Sequence, residues 1–115
     1  MFAMQSDVFD VPTAAASILQ DRATSSYQRT LVFHNLSAGT LAITTQYSAA
    51  GGEAWTDIET FNLAAGAMVV KNVTRTEILR VRASGGGDDR DLAVALFRVD
   101  LDARAEKLWT TPRLP

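Results

Sequence analysis

A chain of 115 residues has the length of one domain, and a content of 47% apolar and 21% charged residues is that of a folding globular protein, not a disordered one. The formal net charge of -2 comes from interleaved acidic and basic residues. It leaves no broad positive field for a phosphate backbone or an anionic lipid surface, so neither nucleic acid nor membrane is an expected partner. Cysteine is absent, which removes disulfides, thiolate nucleophiles and cysteine-based zinc sites together.

The start, Met1 to Asp7, has no basic segment leading into an apolar stretch, and no run approaches the length of a membrane-spanning helix. The chain therefore reads as made and kept in a cytosol. The segment before Ser25 carries Val8, Phe9 and Val11, then Pro12, then Ala14 to Leu19. It reads as an N-terminal arm that is either a first strand or a short helical turn, and the pattern does not choose between them. From Tyr27 onward, short alternations separated by turn residues have the rhythm of an antiparallel sandwich or barrel. Leu31 and Phe33 share a parity before the turn-forming Asn35-Leu36-Ser37-Ala38-Gly39. Leu41, Ile43, Thr45 and Tyr47 then line one face of a strand, with Thr40, Thr44, Gln46 and Ser48 on the other.

Ala49-Ala50-Gly51-Gly52-Glu53 predicts a hairpin loop, and Trp55 opens the next strand through Phe61 and Leu63. Ile58 breaks that strand's parity, so a bulge or twist is expected there. After the turn Ala64-Ala65-Gly66, the run of Met68, Val69, Val70 and Val73 suits a strand covered on both sides. Leu79, Val81 and Ala83 alternate with Arg80 and Arg82. Gly85-Gly86-Gly87-Asp88-Asp89 is expected to be an exposed hairpin tip leading into Leu92, Val94 and Leu96. The opposite parity of that last strand, Ala93, Ala95, Phe97 and Val99, is also apolar, so both its faces call for cover. Beyond it, Leu101 to Leu108 has the composition of a brief helix, while Trp109, Pro112 and Pro115 make the finish extended.

These readings divide the chain into an arm or first strand (1–24), a sandwich (25–100) and a docking tail (101–115). The predicted core is Leu31, Phe33, Ile43, Tyr47, Trp55, Phe61, Val81 and Val94. Partner contacts are expected at Val8, Phe9, Val11, Phe97, Val99, Leu108, Trp109 and Leu114, whose apolar side chains lie in the ends or on the doubly apolar strand.

Candidate chemistry is sparse. His34 is the one histidine, so no histidine cluster can hold a metal within one chain, and no nucleophile-elbow pattern lies near it. Asp88, Asp89 and Asp91 follow three glycines but lack the spacing of a calcium loop. Asp57 and Glu59 share a strand face, where two carboxylates lie side by side instead of flanking a sugar. Gly85-Gly86-Gly87 matches no phosphate-binding loop. Arg75, Arg80, Arg82, Arg90 and Arg98 are interleaved with acids, which fits solvated edges or ion pairs across a subunit contact. Asn35-Leu36-Ser37 and Asn72-Val73-Thr74 match the glycosylation sequon by chance. Tyr47 and Trp55, across the glycine hairpin, fit either core filling or an aromatic platform for a sugar ring. No cofactor and no catalytic residue is expected.

The stretch Gln46-Tyr47-Ser48-Ala49-Ala50-Gly51-Gly52-Glu53-Ala54-Trp55-Thr56-Asp57-Ile58, with Phe61-Asn62-Leu63-Ala64-Ala65-Gly66-Ala67 and Leu79-Arg80-Val81-Arg82-Ala83-Ser84-Gly85, resembles small Ig-like or jelly-roll β-sandwich structural proteins of tailed bacteriophages. The resemblance runs from Leu31 to Val99. In that family the pattern reads S-x-D-G-G-x-x-W, then L-A-A-G, then R-V-R-A; here Ala50 stands where the family often has Asp, which weakens any cation or turn-capping role for that loop. The resemblance implies an all-β sandwich with terminal arms and a non-enzymatic role at the virion's capsid surface. First among the implied roles is decoration or cement on the major capsid protein lattice, with homo-oligomers possible. A head-tail connector or tail and fibre subunit is the alternative, and a carbohydrate-binding or adhesin module is a third, from a different class.

Overall fold

A strand whose side chains alternate buries one face and leaves the other outside, and most segments of this chain are written that way. The computed structural model describes residues 2–22 and 28–99. They form eight strands and no helix: β1 Phe2–Phe9, β2 Ala16–Asp21, β3 Arg29–Asn35, β4 Leu41–Ser48, β5 Thr56–Leu63, β6 Met68–Val73, β7 Ile78–Ser84 and β8 Leu92–Val99. Two four-stranded antiparallel sheets result, in the orders β1-β8-β3-β6 and β2-β7-β4-β5. Among consecutive strands only β4 and β5 pair as a hairpin; each other connection crosses from one sheet to the other. Eight strands in two sheets with this winding make a jelly roll, one of the two sandwich types the sequence leaves open.

The core lies between the sheets. Leu31, Phe33, Val73, Leu92, Val94 and Leu96 come from one side, and Ile18, Leu19, Leu41, Ile43, Leu63, Leu79, Val81 and Ala83 from the other. Phe61 is partly buried against them, its ring edge-on to Phe33 at 5.6 Å. Register shifts in both edge strands of the second sheet. Ile58 is the extra residue of β5, between Glu59 opposite Thr45 and Asp57 opposite Gln46, which is the bulge its broken parity predicts. In β2 the extra residue is Ile18, so that Ile18 and Leu19 are both buried.

Several expectations are corrected. The segment before Ser25, read as an arm or a first strand, supplies two strands, β1 and β2, the edge strands of the two sheets. Phe9 and Val11, expected to meet a partner, are buried in the core: Phe9 ends β1 on its inward parity, opposite Leu92, and Val11 lies in the crossing from β1 to β2. Trp55 precedes β5 and is half-buried outside the core, and Tyr47, although it shares the inward parity of Leu79, is half-buried at the end of the sandwich. The Met68–Val73 strand has an open face, not two covered ones, because β6 is an edge strand. The glycine run after Ser84 is a crossover, not a hairpin tip, since β7 and β8 lie in different sheets. The proposed tail, 101–115, lies outside the described residues, as does the side chain of Val99.

Two buried carboxylates tie the sheets together. Arg29 and Arg98 stand opposite each other on β3 and β8, a like-charge pair that is unfavourable alone. Asp21 of the other sheet lies between them, accepting from Arg29 Nε at 2.7 Å and from Arg98, with both members of the Asp21–Arg29 pair fully buried. Arg29 also donates to the Arg75 carbonyl at 3.0 Å. Removing one member of such a cluster leaves the other charge buried and uncompensated.

At the opposite end Asp91 organises the β7–β8 crossover. Its carboxylate accepts from the backbone N–H groups of Val11 (2.9 Å), Asp89 (3.0 Å) and Gly87 (3.1 Å). Burial alone would raise the Asp91 pKa, but backbone hydrogen bonds led by that from Val11 outweigh it and hold the carboxyl below its ordinary value. Gly86 is pressed against the β1–β2 crossing so closely that a Cβ there would sit 2.2 Å from the Val11 carbonyl oxygen. The backbone bonds Gly85 N–H to Thr13 O (3.1 Å) and Asp88 N–H to Val11 O (2.9 Å) complete the junction.

Asp21→Asn is expected to lower unfolding free energy by about 3–5 kcal/mol, read from urea melts; a loss within about 0.5 kcal/mol would show that the cluster does not secure the sheets. Asp91 favours its ionised form in the fold, so its contribution is complete above the unfolded carboxylate value, about 3.9. It is lost as pH falls through the lower folded value. Stability measured from about pH 5 down to about pH 3 should therefore fall less steeply in Asp91→Asn than in the wild type; parallel slopes would contradict this.

Candidate functional site

The outer faces of the two sheets differ in kind. On β2-β7-β4-β5 the outward rows are polar and bonded among themselves. Gln46 donates to Asp57 at 2.7 Å and accepts from Arg80 Nε at 2.9 Å, Thr44 and Thr60 hydroxyls meet at 3.0 Å, and Arg82 donates to the Ala15 carbonyl at 3.0 Å. Burial, and then the like charge of Arg82, lower the Arg80 pKa, with Asp57 opposing them. Ser17 Oγ and Arg82 Nε, opposite each other on β2 and β7, are buried on this side without a hydrogen-bond partner among the described residues.

On β1-β8-β3-β6 the registers give three outward rows across the four strands: Met4-Phe97-Thr30-Asn72, Ser6-Ala95-Val32-Val70, and Val8-Ala93-His34-Met68. Eight of these twelve side chains are apolar. Met68 is 63% exposed, Met4 57%, Val70 57% and Val8 36%. Thr30 donates to Asn72 at 2.8 Å, so the polar corner is self-satisfied. A hollow of about 510 Å³ opens at the third row, lined by Val8, Val32, His34, Met68 and Ala93, with Ser6, Asp7 and Arg90 at its rim.

Such a face is unusual, because water wets it at a cost proportional to its apolar area. His34, the one histidine, lies inside it. No group of three or more His, Asp or Glu side chains able to hold a metal occurs among the described residues, and Asp91 spends its oxygens on backbone N–H groups.

Of the residues expected to meet a partner, Val8 and Phe97 lie on this face and Phe9 and Val11 do not; Leu108, Trp109 and Leu114 are outside the described residues. Met4, Val32, Met68 and Val70 belong to it and were missed. For β6 the signal was present in the Met68-Val69-Val70 run, but a continuous apolar run reads equally as a doubly covered strand. Val32 was hidden because its neighbours Leu31 and Phe33 carry the inward parity.

The aromatic pair does not form a sugar platform. The Arg75 guanidinium lies 3.6 Å from the Tyr47 ring centre, and that of Arg80 lies 4.2 Å from the Trp55 ring centre. Arg80 is on the outer side of its strand, whereas Tyr47 faces inward beside Leu79, so the two rings belong to different sides of the sheet. Arg75 is itself held by Glu77 at 3.1 and 3.2 Å, and these bonds keep the Glu77 carboxyl below its ordinary value. Asn35, the first sequon asparagine, is buried, its amide donating to the Gly39 and Leu63 carbonyls at 2.8 Å.

No family model matches the chain, and no curated protein sequence matches it. Solved structures do. A chain of the Bacillus endospore appendages, described as disulfide-linked pili, is 18% identical with a TM-score of 0.63, over 89% of this chain and 88% of that one. The PBSX exported protein XepA is 15% identical with a TM-score of 0.60 over 93% of this chain, which spans 40% of that protein. A chain of the naturally occurring empty particles of Cowpea mosaic virus is 9% identical with a TM-score of 0.53, over 94% of both. At these identities the likeness is one of fold: an all-β, jelly-roll sandwich.

Proposed function

We propose that this is a non-enzymatic structural protein of a tailed-phage virion, a decoration or cement subunit that attaches to the major capsid protein lattice by the outer face of β1-β8-β3-β6. The observation that carries the reading is the contrast between that apolar face and the self-bonded polar face opposite. The names of the fold neighbours, a pilus and a virus particle, are those of assembly proteins, which agrees with it. Disulfide linking is not open to this chain, which has no cysteine; its contacts are non-covalent. A small apolar face makes each contact weak, and a repeating shell compensates by offering many at once.

Met68→Asp with Val70→Asp puts two charges on the face at exposed positions. The expected result is a thermal transition unchanged within about 0.5 kcal/mol and loss of cosedimentation with particles, while Thr44→Asp on the polar face leaves cosedimentation intact. Cryo-electron microscopy of the particles tests the placement. Density repeating over the shell is expected; density confined to one vertex or to the tail would transfer the protein to the head-tail connector or tail role. Trp55→Ala is expected to cost about 1 kcal/mol, chiefly through the Arg80 contact, with glycan binding at background in both forms. Specific glycan binding abolished by this change would establish the carbohydrate reading instead.

A further inference from the structure

The edge of a sheet presents backbone N–H and C=O groups that a further strand can bond, and folds that must not pair there break the edge with a bulge or a charge. Among the described residues, three of the four edge strands carry such a device. β2 is bulged at Ile18, and β5 at Ile58 between the carboxylates of Asp57 and Glu59. β1 carries Asp7, exposed and on the inward parity between Ser6 and Val8. β6 is different. Its six residues keep an unbroken register with β3, and its one charge, Lys71, is turned in over the Phe61 ring and onto Glu59.

The ladder fixes which backbone groups β6 turns outward. Asn35 N–H donates to the Ala67 carbonyl at 3.0 Å, and opposed residues of an antiparallel ladder alternate between bonded and non-bonded pairs. Along the register, Val69, Lys71 and Val73 therefore bond to β3, while Met68, Val70 and Asn72 turn their N–H and C=O groups to the free edge. The side chains of the same three residues are exposed. A second β6 laid antiparallel with Val70 opposite Val70 sets each Met68 opposite an Asn72 and makes about six backbone hydrogen bonds. Lys71 then meets Val69, whereas a centre one residue further along would set Lys71 against Lys71, like charges directly opposed. The middle outward row runs from Val32 and Val70 of one copy to Val70 and Val32 of the other with no polar break.

We infer that two copies of this chain pair edge to edge through β6, antiparallel about Val70, so that their β1-β8-β3-β6 sheets join into one eight-stranded sheet with a two-fold axis. The pairing changes what the apolar face can hold. Four strands about 4.8 Å apart and three outward rows about 6.7 Å apart make a single face of roughly 400 Å². Two joined faces offer about 800 Å², the area per partner of a standard protein interface, and one alone offers half of it. That consequence rests on the face being the attachment surface; the pairing itself does not.

The chain has no cysteine, so one introduced thiol reports the pairing. Val70→Cys sets two thiols across the two-fold axis at a Cα separation of about 5.5 Å, inside the range a disulfide spans. Mild oxidation of the full chain is expected to give a covalent dimer severalfold faster than in Met68→Cys, whose site is as exposed but lies opposite Asn72. Sedimentation equilibrium of the wild type should show the mass passing from one chain to two as concentration rises. Val70→Pro removes only an edge N–H and Val70→Lys opposes two like charges; each should sediment as one chain with the unfolding transition retained. Crosslinking no faster at position 70 than at 68 would overturn the inference, as would a wild-type mass of one chain at every concentration or a mass of two chains kept by Val70→Lys. No particle is present in these measurements, so failure of the virion reading leaves them standing, and single chains that still cosediment with particles overturn the pairing alone.

Discussion

Every strand of a two-sheet sandwich has one side in the core and one side outside, and the outer side must be wetted or covered. The sheet β2-β7-β4-β5 meets this with side chains that bond one another: Arg80, Gln46 and Asp57 in one row, Thr44 and Thr60 in another. The sheet β1-β8-β3-β6 does not. Its outward rows place Met4, Val8, Val32, Met68 and Val70 beside the alanines of β8. The two sheets share one core and differ in what lies behind them, and the functional reading follows from that difference.

The rest of the molecule holds that face in shape. Asp21 bridges Arg29 and Arg98 at one end, and Asp91 gathers the backbone of two crossings at the other. Between these clamps β3 and β8 keep an unbroken register of seven pairs, so their outward rows stay aligned with those of β1 and β6. Bulges occur only in the pairings of the polar sheet among the described residues. There they push Ile18 and Ile58 toward the core without disturbing the apolar face. On the open side between β5 and β6, Lys71 closes the sandwich, donating to Glu59 at 2.8 Å and lying 4.6 Å from the Phe61 ring centre.

Local patterns made much of this legible from the sequence. Alternation located β3, β4, β7 and β8, the glycine pair located the β4–β5 hairpin, and the broken parity at Ile58 located a bulge. What pattern cannot carry is which strands become neighbours. Phe9 and Val11 look like arm residues until β1 pairs with β8 and its crossing to β2 closes over the core, and the three glycines after Ser84 look like a tip until Gly86 is found against Val11. The Asp21–Arg29–Arg98 cluster joins three residues from three strands, with Arg98 77 positions from Asp21, each ordinary in its own segment. The apolar face was half legible. Both sides of β8 are apolar in sequence, which pointed to it, but Val32 and Val70 join it only once β3 and β6 are placed side by side with β8.

The central claim is that this protein attaches by the apolar face and not by the polar one, and the two methionines at Met4 and Met68 report on the first as the Trp55 indole reports on the second. Cross-saturation from unlabelled particles to the labelled chain tests it directly. The account predicts attenuation of the Met4 and Met68 methyl signals with the Trp55 indole N–H spared. Attenuation of Trp55 with both methionines unaffected would contradict it.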